Sequence, residues 1–319
     1  MLSRSYFKSE KAAFGHLEGV LWADGTVCPH CGSVDRAGKL AGVKDKKGRV
    51  RLGLWKCYEC RKQFTVRVGT VFESAHIPLH KMLQAVYLMS ASKKGVSAHQ
   101  LHRTLEITYK SAWFLAHRIR EAMRDGTLAP MGGAGEIVEI DETIIGFTEG
   151  MSKKKSKDLP KKARSSSAYR NVVMTLVSRN GSARSFHVSG TTIGTIIPII
   201  RTNIRRETSV MTDEASWYAA LGGDFAKHET VNHQTKEYAR GEVSTNTVEG
   251  FYSIFKRGMK GVYQHCAEKH LHRYLAEYDF RYSNRVALGV NDEARTERAL
   301  KGIVGKRLTY RPASEISPA

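Results

Sequence analysis

The chain has 319 residues, 41% of them apolar, which is enough for two or three domains with a substantial core and excludes a disordered chain. Lysine and arginine number 51 against 31 aspartates and glutamates, and the formal charge of +20 is spread along the chain, which favours a polyanionic partner. The opening residues lack the unbroken apolar stretch of a signal peptide, and no run reaches the roughly 18 apolar residues of a membrane span. Residues 193–200 come closest and contain Gly194 and Pro198, so the expectation is a cytoplasmic, nucleoid-associated protein with no membrane partner.

Four of the five cysteines come as Cys28-Pro29-His30-Cys31 and Cys57-Tyr58-Glu59-Cys60, with 25 residues between the pairs. Two such knuckles can bring four thiolates into a tetrahedron about structural Zn²⁺, which supplies folding energy that so short a segment lacks. Gly32 and Arg61-Lys62-Gln63-Phe64 fit a zinc ribbon with β-hairpins at the knuckles. A redox dithiol competes less well, because two matched pairs have no need of each other in a redox site. Cys266 has no partner pair. Arg36, Lys39, Lys44, Lys46, Lys47, Arg49 and Arg51 lie between the knuckles, either in a solvated loop or in a basic finger on phosphate.

Three helices are predicted next, over Leu79–Ser90, Ala98–Leu105 and Tyr109–Arg124. Gly95 and Ser97 provide a turn and an N-cap, and Thr108 can cap the third helix, a layout compatible with helix-turn-helix. Lys110 and Arg118 on that third helix are the expected DNA contacts, whether to bases or to backbone.

Residues 131–135, Met-Gly-Gly-Ala-Gly, form a linker. The β-branched run Ile137–Gly146 predicts a strand bearing Asp141. Alternation places Glu139 on the face of Asp141 and Glu142 on the other, making Glu142 the weaker rival. Residues 151–170 hold eight basic residues, Lys153, Lys154 and Lys155 among them, against Asp158 alone, and predict a mobile basic loop that contacts DNA. Asn171–Ser178 and Ala183–Ser189 read as a hairpin around Arg179-Asn180-Gly181, and Ile193–Ile204 as a helix despite Pro198. Ser209–Thr212 then reads as a strand delivering Asp213 at its end, with Glu214 as rival.

Separated from Asp213 by thirty-five residues, Glu249 opens a helical pattern that carries Lys256 seven positions on, followed by Arg257. At about 100° per residue, Asn246, Glu249, Ser253 and Lys256 share one side, while Val248, Phe251, Tyr252, Phe255, Met259 and Val262 share the other. Residues 270–284 and 292–304 read as closing helices. Attack on an anionic phosphodiester needs cations to neutralise the attacking and leaving oxygens, and two Mg²⁺ ions about 3.5–4 Å apart do this when a few carboxylates hold them. Asp141, Asp213 and Glu249 are such a set.

Several segments carry a family resemblance: Glu136–Thr143, Val231-Asn232-His233, Ser244–Phe251, Phe255-Lys256-Arg257, Lys269-His270-Leu271, Arg273-Tyr274-Leu275 and Phe280-Arg281-Tyr282. Together they resemble the zinc-ribbon class of bacterial insertion-sequence DDE transposases, over about residues 14–310. The resemblance implies a ribonuclease H-like fold, Asp141, Asp213 and Glu249 as metal ligands, and Lys256 on DNA. Some relatives use asparagine as the third catalytic letter, which would move that role to Asn246. Ser244 stands where many relatives have a histidine.

The expected fold is therefore α+β and multidomain: a zinc ribbon (14–72), a helix-turn-helix-like domain (76–128), a ribonuclease H-like α/β catalytic domain (135–285, with the basic insert 150–170) and a C-terminal helix and tail (286–319). The expected activity is cleavage of element ends and joining of the 3′ hydroxyls to target DNA, with Mg²⁺ as cofactor and Mn²⁺ as an alternative. His233 is either a neighbour of that site or a core histidine. The expected partners are double-stranded DNA, as terminal inverted repeats and as target, and further copies of the chain assembled on it. A non-catalytic DNA-binding regulator and a nuclease without strand transfer are the competing readings.

Overall fold

The computed structural model describes residues 2–126, 129–160, 163, 166 and 168–309. They fall into two compact units, one made of residues up to 92, 96–124 and from 291 onward, the other of residues 93–95 and 125–290.

The first unit begins with α1 (Glu10–Leu21), capped by the Ser9 side chain. A small antiparallel sheet follows: β1 (Ala37–Lys39), β2 (Trp55–Cys57) and β3 (Gln63–Phe64), with β2 in the middle. Trp22 packs edge-on against Trp55 and Phe64, closing a core too small to stand without a further tie. Then come α2 (Leu79–Ala91), α3 (Ala98–Leu105) and α4 (Tyr109–Met123), close to their predicted bounds. Ser97 and Thr108 cap α3 and α4 by accepting from Gln100 N and Ser111 N. Glu106, in the left-handed region at φ 49°, turns the chain between those two helices.

The second unit is built on a five-stranded sheet. It holds β4 (Ile137–Ile145), the short helix α5 (Lys153–Lys157), β5 (Asn171–Ser178), β6 (Ala183–Val188), α6 (Ile193–Asn203), β7 (Ser209–Thr212) and β8 (Lys227–Thr230). The order is β6-β5-β4-β7-β8, antiparallel through β6, β5 and β4 and parallel from β4 to β7 to β8, which is the ribonuclease H-like arrangement. A two-stranded ribbon, β9 (Ala239–Arg240) with β10 (Val243–Ser244), leads into α7 (Asn246–Gly258), and α8 (Leu271–Ser283) follows. The last helix, α9 (Asp292–Lys301), belongs to the first unit, where it packs on α2.

Alternation along the strands explains the layering. Val138, Ile140, Val172, Met174, Leu176 and Val210 face α6 on one side of the sheet. Ile145, Val173 and Val177 meet Val248, Phe251, Tyr252 and Phe255 of α7 on the other. Pro198 lies inside α6, on its exposed side. At Gly258, α7 comes so close to α8 that a Cβ would collide with Tyr278 Oη and the Lys94 carbonyl oxygen.

The predicted basic loop is corrected in part: Ser152 caps Lys153–Lys157 as a turn of helix. Lys161, Lys162 and Arg164 of that insert lie outside the described residues.

Candidate active site

β4 and β7 run side by side, pairing Ile137 with Ser209, Val138 with Val210 and Glu139 with Met211. Continuing that register by two residues sets Asp141 beside Asp213, which leaves β7 at its C-terminal end. Asp141 shares the α7 face of the sheet, and Tyr252 of α7 ties the two together by donating to the carbonyl oxygens of Asp141 (2.6 Å) and Val173 (3.1 Å). One turn before Tyr252 on the same helix stands Glu249, whose charge reaches Asp141.

Burial pushes the Asp141 carboxyl up to about 8, and the charges of Glu142, Asp213 and Glu249 push the same way. Glu142 lies on the opposite face, as alternation requires, where Tyr218 Oη donates to its Oε1 at 2.6 Å. Burial raises it to about 7, with Asp213 adding to the effect, so Glu142 is electrostatically part of the cluster despite its face. Asp213 is also raised by burial, against a bond from Ala215 N to its Oδ1 at 3.1 Å and the opposing pull of His233. Glu214 goes the other way: backbone N–H groups, including His233 N at 3.0 Å, hold its carboxyl below the usual range.

His233 is not a core histidine. Its Nε2 lies 3.2 Å from Thr245 Oγ1 and 3.6 Å from Glu249 Oε1, and Thr245 Oγ1 donates to the same carboxylate oxygen at 3.3 Å. Asn246 is the exposed first residue of α7. Lys256 lies over the Tyr252 ring at 5.8 Å, while Arg257 is exposed and folds back on Ser253.

Carboxyls gathered in this way repel one another and are matched chemically by divalent cations, whose charge removes the penalty for ionising them together. Among the described residues, only the four ribbon cysteines bring three or more ligand atoms within 4.8 Å of one another.

In the ribbon, Cys28 Sγ lies 3.7 Å from Cys60 Sγ, and Cys31 Sγ lies 3.7 Å from Cys57 Sγ. Thiolates on a tetrahedral Zn²⁺ at ~2.3 Å stand about 3.8 Å apart, so the residues fit that ion; a disulfide would need about 2.05 Å. The Ser33 hydroxyl, 3.3 Å from Cys57 Sγ, brings that thiol down to about 6, towards the ligating thiolate. The basic residues between the knuckles are partly neutralised: Arg36 pairs with Glu59, Lys39 with Glu18 and Arg49 with Asp45.

On α4 the structure corrects one expected DNA contact. Lys110 is exposed at the helix start, whereas Arg118 is buried, donates to the Glu73 carbonyl oxygen at 2.9 Å and stacks on Phe114. His117 and Arg120 are buried too, so the second half of α4 is a core helix and only its first turn can face a groove. Lys153, Lys154 and Lys155 are exposed on α5.

Residues 133–283 match the ISXO2-like transposase domain, and residues 8–63 match the transposase zinc-ribbon domain. Across 269 residues the chain is 27% identical to an uncharacterized protein in transposable element ISH50 of Halobacterium salinarum, covering 81% of this chain and 85% of the relative. Both domain matches, and the sheet that carries the acids, define a transposase. The chain belongs to the zinc-ribbon insertion-sequence DDE transposase family.

Proposed function

We propose that this transposase cleaves insertion-sequence ends and joins the freed 3′ hydroxyls to target DNA, with Asp141, Asp213 and Glu249 holding two Mg²⁺ ions, or Mn²⁺ in their place. The observation that carries the reading is the β4–β7 register, which sets Asp141 beside Asp213 under the helix that bears Glu249. Bound, the ions would supply Lewis-acid charge neutralisation at the phosphodiester and lower the pKa of the attacking water or hydroxyl. His233 and Thr245 steady the Glu249 carboxylate, while Lys256 meets a phosphate near the site.

End recognition falls to the zinc ribbon and the helix-turn-helix-like segment, with Lys110 at the exposed start of α4. The lysines of α5 and Arg257 add affinity that does not depend on sequence. The protein works on the nucleoid in the cytoplasm, as a homo-oligomer assembled on DNA.

The test is Mg²⁺-dependent cleavage and joining with duplexes bearing the element's terminal inverted repeats. Wild type is expected to release the 3′ end and transfer it to a target plasmid, whereas a nuclease would stop at release. Glu249→Gln is expected to abolish both steps and Asn246→Ala to retain them; the reverse pattern assigns the third ligand to Asn246.

A further inference from the structure

Glu139, two residues before Asp141 on β4, has no exposure at all. Its carboxylate accepts from Thr247 N (2.7 Å), Thr247 Oγ1 (2.8 Å), Val248 N (3.0 Å) and Arg179 Nε (2.7 Å). Thr247 and Val248 belong to the first turn of α7, whose amides have no partner within the helix. The residue at the N-cap, Thr245, makes no side-chain cap bond; its hydroxyl points instead to Glu249 and His233. A carboxylate from β4 thus does the capping and also meets the positive end of the helix dipole. Arg179, just past the end of β5, completes the tie by donating to Ser244 O (3.2 Å) and Ser244 Oγ (3.0 Å) on β10.

We infer that Glu139, held by Arg179, is a positioning residue that fixes the start of α7 against β4 and so sets Glu249 opposite Asp141, leaving the Thr245 hydroxyl for the site. The inference rests on the proposed metal-site reading. Glu139 lies two residues before Asp141 on the same face, so one strand supplies both a ligand and the anchor for the helix that supplies another. Removing the carboxylate charge loosens the first turn of α7 and lets Glu249 drift. Outer groups that orient metal ligands affect metal affinity by about 10- to 100-fold.

The experiment measures Mn²⁺ binding by the EPR signal of the free ion, alongside amide exchange over residues 245–252, in the full chain. Three variants are compared with wild type: Glu139→Gln, the milder Thr247→Ala, and Ile200→Val, a core change on the opposite side of the sheet. Glu139→Gln is expected to speed exchange at Thr247 and Val248 and weaken Mn²⁺ binding by about tenfold. Thr247→Ala shifts both in the same direction by less and decides the matter if Glu139→Gln does not fold, while Ile200→Val shifts neither. A folded variant with faster exchange but wild-type Mn²⁺ affinity overturns the positioning role and leaves Glu139 as a helix cap only. No Mn²⁺ binding by wild type overturns the metal-site reading itself, and the positioning role with it.

Discussion

Burial and three neighbouring carboxylates hold a proton on Asp141 near neutral pH, and Glu142 is close behind. In the unfolded chain such carboxyls ionise near 4, so in the metal-free protein they bind protons that the unfolded chain releases. Their contribution to stability is fully present below about pH 4 and is lost as pH rises through about 7 to 8. A divalent ion displaces those protons, so Mg²⁺ should raise the melting temperature little at pH 5.5 and much more at pH 8.5, as an order-of-magnitude contrast in apparent affinity. Asp279, also buried and raised to about 7, adds to the metal-free pH dependence but lies on α8, bonded to Ser185. Asp141→Asn should therefore flatten the metal-free profile only in part while abolishing the Mg²⁺ effect. Thermal denaturation at both pH values checks this; an Mg²⁺ shift that survives in Asp141→Asn contradicts it.

Helix ends in this protein are set as much by tertiary contacts as by local sequence. Pro78, at the N-cap of α2, offers no side-chain cap, and Glu10 of α1 accepts from Leu79 N (2.8 Å) and His80 N (3.1 Å), just as Glu139 serves α7. Such partners lie far away in sequence, so periodicity and cap residues locate the helix without revealing what holds its end. α4 teaches the same lesson about its faces. The pattern of apolar residues with interspersed bases predicts its length well, but burial of Arg118 depends on the Glu73 carbonyl and the Phe114 ring. Arg118→Ala should consequently cost stability, about 1–3 kcal/mol for a buried charged hydrogen bond, with no selective effect on end DNA. Lys110→Ala, a change at an exposed position, should cost little stability by comparison and weaken DNA binding. Paired denaturation and binding titrations separate the two, and a selective loss of end recognition by a stable Arg118→Ala protein would restore it as a reader.

Across the whole molecule, the legible features were those written in short-range pattern. The β-branched run around Asp141, the hairpin of β5 and β6, the α7 phasing and the cysteine knuckles all appear where their residues predict. β8 is not legible in the sequence because Lys-His-Glu-Thr has no apolar alternation; it is a charged edge strand, held by pairing with β7. Alternation gives the face of Glu142, but its charge acts through space, so face alone does not remove it from the cluster. Likewise α9, which starts 183 residues after the start of α4 (Asp292 against Tyr109), packs with the N-terminal unit for reasons that no local pattern records. Among the described residues no helix is long and apolar enough to cross a membrane.

The central claim is that Asp141, Asp213 and Glu249 act on DNA through bound metal. Its most direct test is cleavage of end DNA by Asp141→Asn, Asp213→Asn and Glu249→Gln, with binding of the same DNA measured in parallel. The account predicts DNA affinity near that of wild type and cleavage reduced by at least about 10³-fold, on the scale of losing an essential catalytic group. Near-normal cleavage by Asp141→Asn or Asp213→Asn would contradict it.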